Sequence, residues 1–301
     1  MLKILLLGKN GQLGWELQRS LAPLGEVLAL DRHSSLHCGD LTHPELLAQT
    51  VLTYKPDFIV NAAAHTAVDQ AESEPELVRC INALAPAALA KAAAQVGAWL
   101  VHYSTDYVFD GSGTHAREEG EGTGPLNVYG QTKLDGEKAI VASGCNYLIF
   151  RTSWVYAARG GNFAKTMLRL AQTREKLTVI NDQFGSPTGA DLIADITAHA
   201  MRRVVNTQNI AFSGVYHLVA SGETTWHGYA RYVIEQAKRI HPELALTVTD
   251  VVPVPTSAFP TPAVRPLNSR LSTAKLQQAF GLVLPPWQQG VNRMLDEILF
   301  K

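Results

Sequence analysis

The sequence is poor in the features that mark secreted, membrane-bound and nucleic-acid-binding proteins. Its 301 residues contain 3 cysteines in no C-x-x-C spacing, which predicts reduced thiols in a cytoplasmic protein. The formal net charge is −1, with no basic block or acidic tail, so neither nucleic acid nor an anionic membrane is an expected partner. The apolar start, MLKILLLGKNG, is too short for a signal segment, and Lys91 and Gln95 interrupt the Ala-rich stretch 83–101, which argues against a membrane span.

Metal-binding spacing is also missing. There is no H-E-x-x-H, and His33 and His37 lie in an expected loop without a cysteine or carboxylate in ligand register. Such histidines are typical of a solvated surface. What remains is a globular chain, 46% hydrophobic, with a small neutral molecule as its expected ligand.

Short apolar runs alternate with helical periodicity over the first half of the chain. The strand-like runs are KILLLG, EVLALD, DFIVNAA, AWLVHYST and YLIFRTS. Repeated strand–helix units predict a parallel sheet with helices on both faces, a doubly wound α/β fold of Rossmann type.

The alternation loosens after about residue 151. We expect residues 1–150 to form a dinucleotide-binding Rossmann domain and residues 151–301 a smaller, interleaved substrate-binding lobe. Within the lobe, LTVI (177–180) and VYHL (215–218) are expected to return to the main sheet. The proline-rich segment 251–270 is expected to be irregular, since proline cannot donate to a sheet ladder.

A glycine array follows the first expected strand. Gly8, Gly11 and Gly14 open a helix, where glycine allows a tight turn and close approach of a pyrophosphate. Asp31 ends the next strand about 20 residues later, where an acid accepts from a ribose hydroxyl, so the pattern predicts dinucleotide binding. Asp31 favours NADH because a carboxylate repels a 2′-phosphate, whereas Arg32 can pair with that phosphate, so NADPH stays open.

Two further strand ends carry small or polar residues. The alanines at 62–64 let the main chain pass close to a flat nucleotide, although simple close packing explains them equally well. Ser104, Thr105 and Asp106 lie at the carboxyl end of another strand, the edge where open α/β sheets bind ligands. We expect Thr105 to face a substrate carbonyl oxygen, while Ser104 is also suited to capping the local turn.

Of the 9 tyrosines, Tyr129 has a lysine four residues on within a helical pattern. Tyr129 and Lys133 then share one helix face. A phenol ionises near pH 10, and a neighbouring ammonium favours the phenolate, so we expect Lys133 to lower the pKa of Tyr129 and ease proton transfer to a substrate oxygen. The same spacing occurs by chance on surfaces, and only its context favours chemistry.

Together these strings resemble the extended short-chain dehydrogenase/reductases over the first half of the chain. The narrower resemblance, over almost the whole chain, is to the dTDP-4-dehydrorhamnose reductase family, through STDYVFDG, PLNVYGQTKLDGE, RTSWVY, NDQFGSPT and RPLNSRL. It implies NADH- or NADPH-dependent reduction of the 4-keto group of dTDP-4-dehydro-L-rhamnose to dTDP-L-rhamnose, a precursor of surface polysaccharides such as the lipopolysaccharide O-antigen.

The resemblance also implies roles for individual residues. Tyr129 is then the proton donor, Lys133 binds the nicotinamide ribose, and Thr105 with Asp106 touches the sugar, as does Trp154. Cofactor contacts are implied at Gly11, Gln12, Leu13, Asp31, Asp40, Leu41, Ala63, Ala64, His65 and Tyr103. By its own chemistry Arg265 can donate to the substrate diphosphate, although a lone arginine more often pairs with a surface carboxylate.

Two family properties have a weaker basis in this sequence. The resemblance implies Mg²⁺ and a homodimer, for which the carboxylates of Glu16, Asp191 and Glu297 could gather at an interface. Relatives carry an aromatic residue in the loop before PLNVYG, whereas this chain reads HAREEGEGTG, with Arg117 near that place. The contacts of that loop are therefore open.

Two other functions remain open on the sequence alone. One is a nucleotide-sugar epimerase or dehydratase of the same fold, in which NAD is reduced and reoxidised without leaving. The other is a non-catalytic nucleotide-binding regulatory subunit. An intact set of Thr105, Tyr129 and Lys133 argues against the second, because a pure binder needs no proton donor.

Overall fold

Strands and helices alternate along residues 1–300, which the computed structural model describes. The strands are β1 (Leu2–Leu7), β2 (Gly25–Leu30), β3 (Phe58–Asn61), β4 (Trp99–Thr105), β5 (Asn146–Thr152), β6 (Val155–Tyr156), β7 (Lys176–Ile180), β8 (Phe184–Gly185), β9 (Thr188–Gly189), β10 (Gly214–His217), β11 (Thr224–Thr225) and β12 (Asp250–Val254). The helices are α1 (Gln12–Leu21), α2 (Pro44–Tyr54), α3 (Val68–Ala71), α4 (Pro75–Arg79), α5 (Ala85–Val96), α6 (Val128–Ala142), α7 (Phe163–Ala171), α8 (Ala190–Thr207), α9 (Trp226–Ile240), α10 (Ala274–Phe280) and α11 (Trp287–Leu299).

The main sheet has six strands in the order β10-β5-β4-β3-β1-β2, and every neighbouring pair is parallel. The predicted doubly wound parallel sheet is thus confirmed. The chain moves outward from β1 in both directions, so the strand order reverses between β1 and β3. In open α/β sheets, ligands bind at the carboxyl ends of the strands beside such a reversal.

Both faces of the sheet are buried because successive strand residues point to opposite sides. On one face Leu6 and Phe150 contact residues of α1 and α8, such as Leu17 and Ile193. The other face has its own apolar cluster, whose members include Leu5, Leu7, Leu47, Ile59, Leu89, Ala93, Leu100 and Ile149. This double burial explains why the strands read as continuous apolar runs.

The second half of the chain adds one strand to this sheet and builds a separate unit beside it. The expected return at 215–218 corresponds to β10, which pairs with β5. The expected return at 177–180 is wrong, because β7 pairs with β12 in a two-stranded parallel sheet. Leu177 and Val179 bury their side chains against α7 and α9, so their apolar character serves a different core. β12 also begins the segment that we expected to be irregular, and Pro253 is tolerated there because a two-stranded sheet has only edges.

The segment Pro75–Val96 is long and apolar enough to cross a membrane by length and composition alone. Half of its most apolar stretch is buried inside the protein. The segment comprises α4 and α5, joined by a π-helical turn at Cys80–Leu84. α5 packs against α2 and α6, which is the environment of a core helix.

Candidate active site

The glycine array forms a close turn between β1 and α1. Gly8 has φ +86°, and a Cβ there would lie 2.8 Å from the main-chain nitrogen of Ala63. A Cβ at Gly14 would collide with the carbonyl oxygen of Gly8, so the helix packs directly on the turn. Gly11 precedes α1 as its N-cap, and the Gln12 side-chain oxygen is buried without a partner. The glycine turn and the free main-chain N–H donors at the helix start fit a bound pyrophosphate.

Asp31 follows β2 and is surrounded by donors. Its carboxylate accepts from the main-chain nitrogen of His33 at 2.9 Å and from the side-chain amide of Asn10, and Lys9 Nζ lies 3.7 Å away. Partial burial alone would raise the pKa of Asp31, but these hydrogen bonds, one from Ser34 and the charge of Lys9 lower it. Asp31 is therefore a carboxylate with a cation beside it, and sequence reasoning missed both Lys9 and Asn10.

Asp40 and Leu41 follow on the same side of the sheet. Leu41 is buried, and Asp40 accepts from the main-chain nitrogen of Thr42 at 2.9 Å. Burial acts to raise the pKa of Asp40, but the Thr42 bonds and the charges of His43 and Arg32 lower it below its usual value. Arg32 thus acts on Asp40 through its charge, at the end of the site expected for the adenosine.

The loop after β3 is held by one side-chain amide. The main-chain nitrogen of His65 donates to Asn82 Oδ1 at 2.9 Å, and Asn82 Nδ2 donates back to the carbonyl of His65 at 3.0 Å. Asn82 lies in the π-helical turn, a feature often found at functional sites. Its two bonds fix the main chain that follows Ala63 and Ala64. A single sequence has no signal for a π-turn, which is why Asn82 was missed.

α6 presents the predicted catalytic pair. Asn127 caps the helix by accepting from the nitrogen of Gly130 at 2.8 Å. A Cβ on Gly130 would collide with the carbonyl oxygen of Tyr107, so this glycine lets α6 lie against the turn after β4. The ring of Tyr129 consequently packs edge-on against the ring of Tyr107, with centroids 5.5 Å apart, and its phenol lies near the Thr105 hydroxyl.

Lys133 is buried one turn further along α6. Its Nζ donates to the carbonyl oxygen of Tyr103 at 2.6 Å and lies 3.3 Å from His102 Nε2. The other ring nitrogen of His102 is 3.2 Å from the side chain of Asn61. Burial lowers the pKa of Lys133 to about 8, with the opposing charge of Glu137 partly offsetting it. His102 and Asn61 were not expected from the sequence.

The expected lowering of the Tyr129 pKa by Lys133 is wrong for this structure. Burial raises the pKa of Tyr129, the nearby Thr105 hydroxyl acts to lower it, and the negative charge of Asp106 and the neighbouring Tyr107 raise it further. The physical reason is geometric, since the Lys133 ammonium is directed towards the main chain of β4. Tyr129 is therefore held as a protonated phenol.

One expected cofactor residue has its side chain directed away from the site. The hydroxyl of Tyr103 lies 2.8 Å from the Thr197 hydroxyl on α8, and its ring packs beside Phe150 in the core. Only the main-chain carbonyl of Tyr103 faces the site, where it accepts from Lys133. Any contact of this residue with a cofactor is consequently indirect or through the main chain.

Thr105 and Asp106 end β4 at the same place. Thr105 donates to Asp106 Oδ1 at 3.0 Å and accepts from the main-chain nitrogen of Tyr107 at 3.2 Å. Thr105 therefore caps the local turn, a role we had considered for Ser104, whose buried hydroxyl has no partner. Burial raises the pKa of Asp106 to about 6.

Trp154 and Arg265 approach this edge from the second half of the chain. Trp154 has φ +48°, a strained value for a bulky residue, and stacks on Trp226 with ring centroids 3.7 Å apart. Arg265 donates to Asp69 after β3 at 2.7 Å. Burial raises the pKa of Tyr107 to about 12, and the nearby charge of Arg265 offsets part of that rise. Arg265 thus pairs with a carboxylate, as a lone arginine most often does.

The loop that departs from the family pattern is internally paired. Arg117 donates to Glu121 at 2.9 Å and to Asp110 at 2.6 Å, and its main-chain nitrogen bonds the carbonyl of Arg270 at 3.0 Å. Its side chain is 12% exposed. The guanidinium therefore holds the loop together.

The three carboxylates considered for a metal line one cavity of about 580 Å³, away from the catalytic residues. Asp191 pairs with Arg293 at 3.3 Å, and Glu16 lies 3.6 Å from Arg19. Burial and the charges of Asp191 and Glu297 raise the pKa of Glu16, against the effect of Arg19. Within residues 1–300, no group of three or more His, Cys, Asp or Glu side chains is placed to hold a metal ion. That these carboxylates gather with a metal ion at an interface between two copies of the chain stays a prediction.

Comparison with known proteins gives a consistent result. The family model described as RmlD substrate binding domain matches residues 2–300. Over 297 residues the chain is 61% identical to dTDP-4-dehydrorhamnose reductase of Escherichia coli (strain K12), covering 99% of this chain and 98% of that protein. A solved dTDP-4-dehydrorhamnose reductase of Clostridium acetobutylicum superimposes with a TM-score of 0.86 at 34% identity, covering 99% of both chains. The Bacillus anthracis enzyme in complex with NADP also has a TM-score of 0.86 at 34% identity, covering 99% of this chain and 100% of that one.

Proposed function

Because the chain belongs to the RmlD family of dTDP-4-dehydrorhamnose reductases, we propose that it reduces the 4-keto group of dTDP-4-dehydro-L-rhamnose with NADH or NADPH, giving dTDP-L-rhamnose. The observation that carries this proposal is the meeting of Tyr129 with Thr105 at the end of β4, beside buried Lys133. A phenol and a hydroxyl at the ligand-binding edge of a doubly wound sheet suit protonation of a carbonyl oxygen.

The cofactor would lie across the glycine turn, with its pyrophosphate at the start of α1 and its adenosine ribose near Asp31. When bound, the reduced nicotinamide supplies a hydride. Asp31 disfavours a 2′-phosphate by charge, while Lys9 and Arg32 offset that repulsion, so the chain is suited to both NADH and NADPH. Lys133 has three N–H donors, of which Tyr103 and His102 can use two, leaving one for a ribose hydroxyl.

Tyr129 would act as the proton donor. Its raised pKa keeps the phenol protonated at neutral pH, so the proton is present when negative charge develops on the substrate oxygen. Thr105 would share that oxygen through a hydrogen bond without losing its own proton. The product alcohol then carries the Tyr129 proton on oxygen and the hydride on carbon.

Residues of the second half would hold the rest of the nucleotide-sugar. The Trp154 indole stacks on Trp226 and packs against Gly185, and the part of the ring that these contacts leave exposed would meet the sugar ring. Arg265 uses one Nη on Asp69 and keeps further donors for a diphosphate oxygen. Binding energy from these remote contacts would help to place the reacting carbon. The proposed hydride and proton transfers use only the nicotinamide and the side chains at the end of β4 and on α6.

The proposal is tested by mixing the protein with NADH or NADPH and a panel of nucleotide-linked keto sugars. We expect stoichiometric loss of nicotinamide absorbance with dTDP-4-dehydro-L-rhamnose, and dTDP-L-rhamnose as the product by NMR. An epimerase or dehydratase would convert its sugar without net cofactor oxidation, and a regulatory subunit would convert none. Formation of another stereoisomer, or clear preference for a different keto sugar, would refute the assignment.

A further inference from the structure

Asp106 is a buried acid with an incomplete set of hydrogen bonds. The residue is only 4% exposed, and its Oδ1 accepts a hydrogen bond from the Thr105 hydroxyl at 3.0 Å. Oδ2 is buried and has no hydrogen-bond partner among residues 1–300. A buried carboxylate oxygen without a partner is costly, so its presence at a reacting edge calls for a functional explanation.

The Thr105 hydroxyl has a single proton, and in this structure that proton is donated to Asp106. Thr105 Oγ1 accepts from the nitrogen of Tyr107 and donates to the Asp106 carboxylate. While it donates there, it has no proton to offer to a second acceptor such as a keto oxygen. If Asp106 is protonated, the direction of this bond can reverse, and the Thr105 proton becomes free.

The surroundings of Asp106 make such a change accessible near neutral pH. Burial raises the pKa of Asp106 to about 6, and the hydroxyls of nearby Ser269 and Thr105 and the local main chain offset only part of that rise. The titratable groups that face it are Tyr107 in the same turn and Tyr129 on α6. Arg265, which pairs with Asp69, acts through its charge on Tyr107.

We propose that Asp106 is a positioning residue whose proton decides whether Thr105 can donate a hydrogen bond to the substrate oxygen. This inference rests on the proposed function, since it requires a keto oxygen shared by Thr105 and Tyr129. The Asp106 proton stays between Asp106 and Thr105, while the proton transferred to the product comes from Tyr129. Substrate that covers the site would exclude water further and favour the protonated carboxyl.

A purely structural role for the carboxyl has little support. The turn after β4 is closed by a main-chain bond from the nitrogen of Phe109 to the carbonyl oxygen of Asp106 at 3.0 Å, and it is capped by Thr105. Neither contact involves the Asp106 carboxyl, and the hydrogen bonds that the carboxyl receives from Thr105 and the local main chain can also be accepted by an asparagine amide oxygen. Asp106→Asn is therefore expected to keep the turn while removing the titration.

The test is the pH dependence of kcat/KM at saturating cofactor. For the wild type we expect a break near pH 6 and a loss of about tenfold per pH unit above it, because kcat/KM reports the free enzyme. Asp106→Asn should show no break in this range. Thr105→Ser, which keeps the hydroxyl, should retain the break, and Thr105→Val, which lacks it, should be slower and show none.

The proposal and the function on which it rests fail in different ways. A wild type that reduces no dTDP-4-dehydro-L-rhamnose at any pH would refute the proposed function. A wild type that is active but has no break, or an Asp106→Asn variant that keeps it, would overturn the role of Asp106. A carboxyl-¹³C NMR titration gives an independent check: a signal titrating near pH 6 and absent from Asp106→Asn is expected, and titration only near the ordinary value of about 4 would overturn the proposal.

Discussion

At the scale of single residues, most polar side chains of the site already donate their protons to acceptors within the protein. Lys133 donates to the main chain of β4, Thr105 donates to Asp106, and Asn82 donates to the carbonyl of His65. The Tyr129 phenol is the exception, since no acceptor is fixed for its proton and burial raises its pKa. This arrangement makes Tyr129 the residue whose loss should affect chemistry alone.

Replacing Tyr129 with phenylalanine should lower kcat by about 100-fold or more, which is the usual contribution of a positioned general acid. Cofactor affinity should change little, because the glycine turn and Lys133 are untouched. Rapid-mixing kinetics and cofactor titration by fluorescence measure the two effects. Tyr54→Phe, at a tyrosine bonded to Glu26 on β2, is the matched control. A Tyr129→Phe enzyme with most of its wild-type rate would exclude Tyr129 as the acid.

Asp31→Ala should shift cofactor preference towards NADPH. The substitution removes a carboxylate that repels a 2′-phosphate and leaves Lys9 beside it. We expect the ratio of kcat/KM for NADPH to that for NADH to rise about tenfold, equivalent to about 1.4 kcal/mol. Glu45→Ala, at an exposed acid on α2, should leave the ratio unchanged. An unaltered ratio in Asp31→Ala would mean that Asp31 does not contact the ribose.

At the scale of elements, α6 is fixed to the sheet by a buried ion pair. Arg151 on β5 donates to both carboxylate oxygens of Glu137, with Nη2 at 2.6 Å and Nε at 2.9 Å. Both side chains are almost fully buried, at 6% and 4% exposure. Since Glu137 is one turn beyond Lys133, the pair sets the height of the catalytic residues relative to the sheet edge.

Arg151→Leu should destabilise the fold by roughly 3–5 kcal/mol, because it leaves the Glu137 carboxylate buried without its partner. Urea unfolding followed by circular dichroism measures the change. Arg231→Ala, at an exposed pair with Glu235, is the matched control and should cost under about 1 kcal/mol. A small loss in Arg151→Leu would show that α6 is held mainly by its apolar contacts.

The main-sheet strands could be predicted because they read as short continuous apolar runs, and the helices between them because their apolar residues recur every three to four positions. The pairing of β7 could not, because a short apolar run is compatible with any nearby core. The π-helical turn that carries Asn82 has no signature in one sequence. Neighbours such as His102 and Lys9 lie close to Lys133 and Asp31 through strand register, which residue spacing along the chain does not contain.

At the scale of the whole molecule, the two halves of the chain meet at the carboxyl ends of the strands. Arg265 reaches Asp69 after β3, and the nitrogen of Asn268 donates to the carbonyl of Gly111 at 3.1 Å. The predicted division at residue 150 therefore does not separate two independently packed units, since β10 from the second half belongs to the main sheet. We place the nucleotide-sugar where these halves meet.

Arg265→Ala should raise the KM for the nucleotide-sugar about tenfold and leave cofactor binding unchanged, because it removes a donor to the diphosphate. Initial-rate kinetics and cofactor titration separate the two quantities. Asp69→Asn tests the alternative that Arg265 only braces the two halves, since it weakens the ion pair but keeps the guanidinium. If Asp69→Asn raises KM as much as Arg265→Ala does, the bracing role is the correct one.

The late arrival of β10 has a consequence for synthesis on the ribosome. β5 ends at Thr152, yet the strand that covers its outer side begins only at Gly214. While the intervening residues are being made, the nascent chain carries a five-stranded sheet with an apolar unpaired edge, of the kind that invites association with other chains. Premature termination before Gly214 would make that transient edge permanent, so truncated products should be clients of chaperones and proteases.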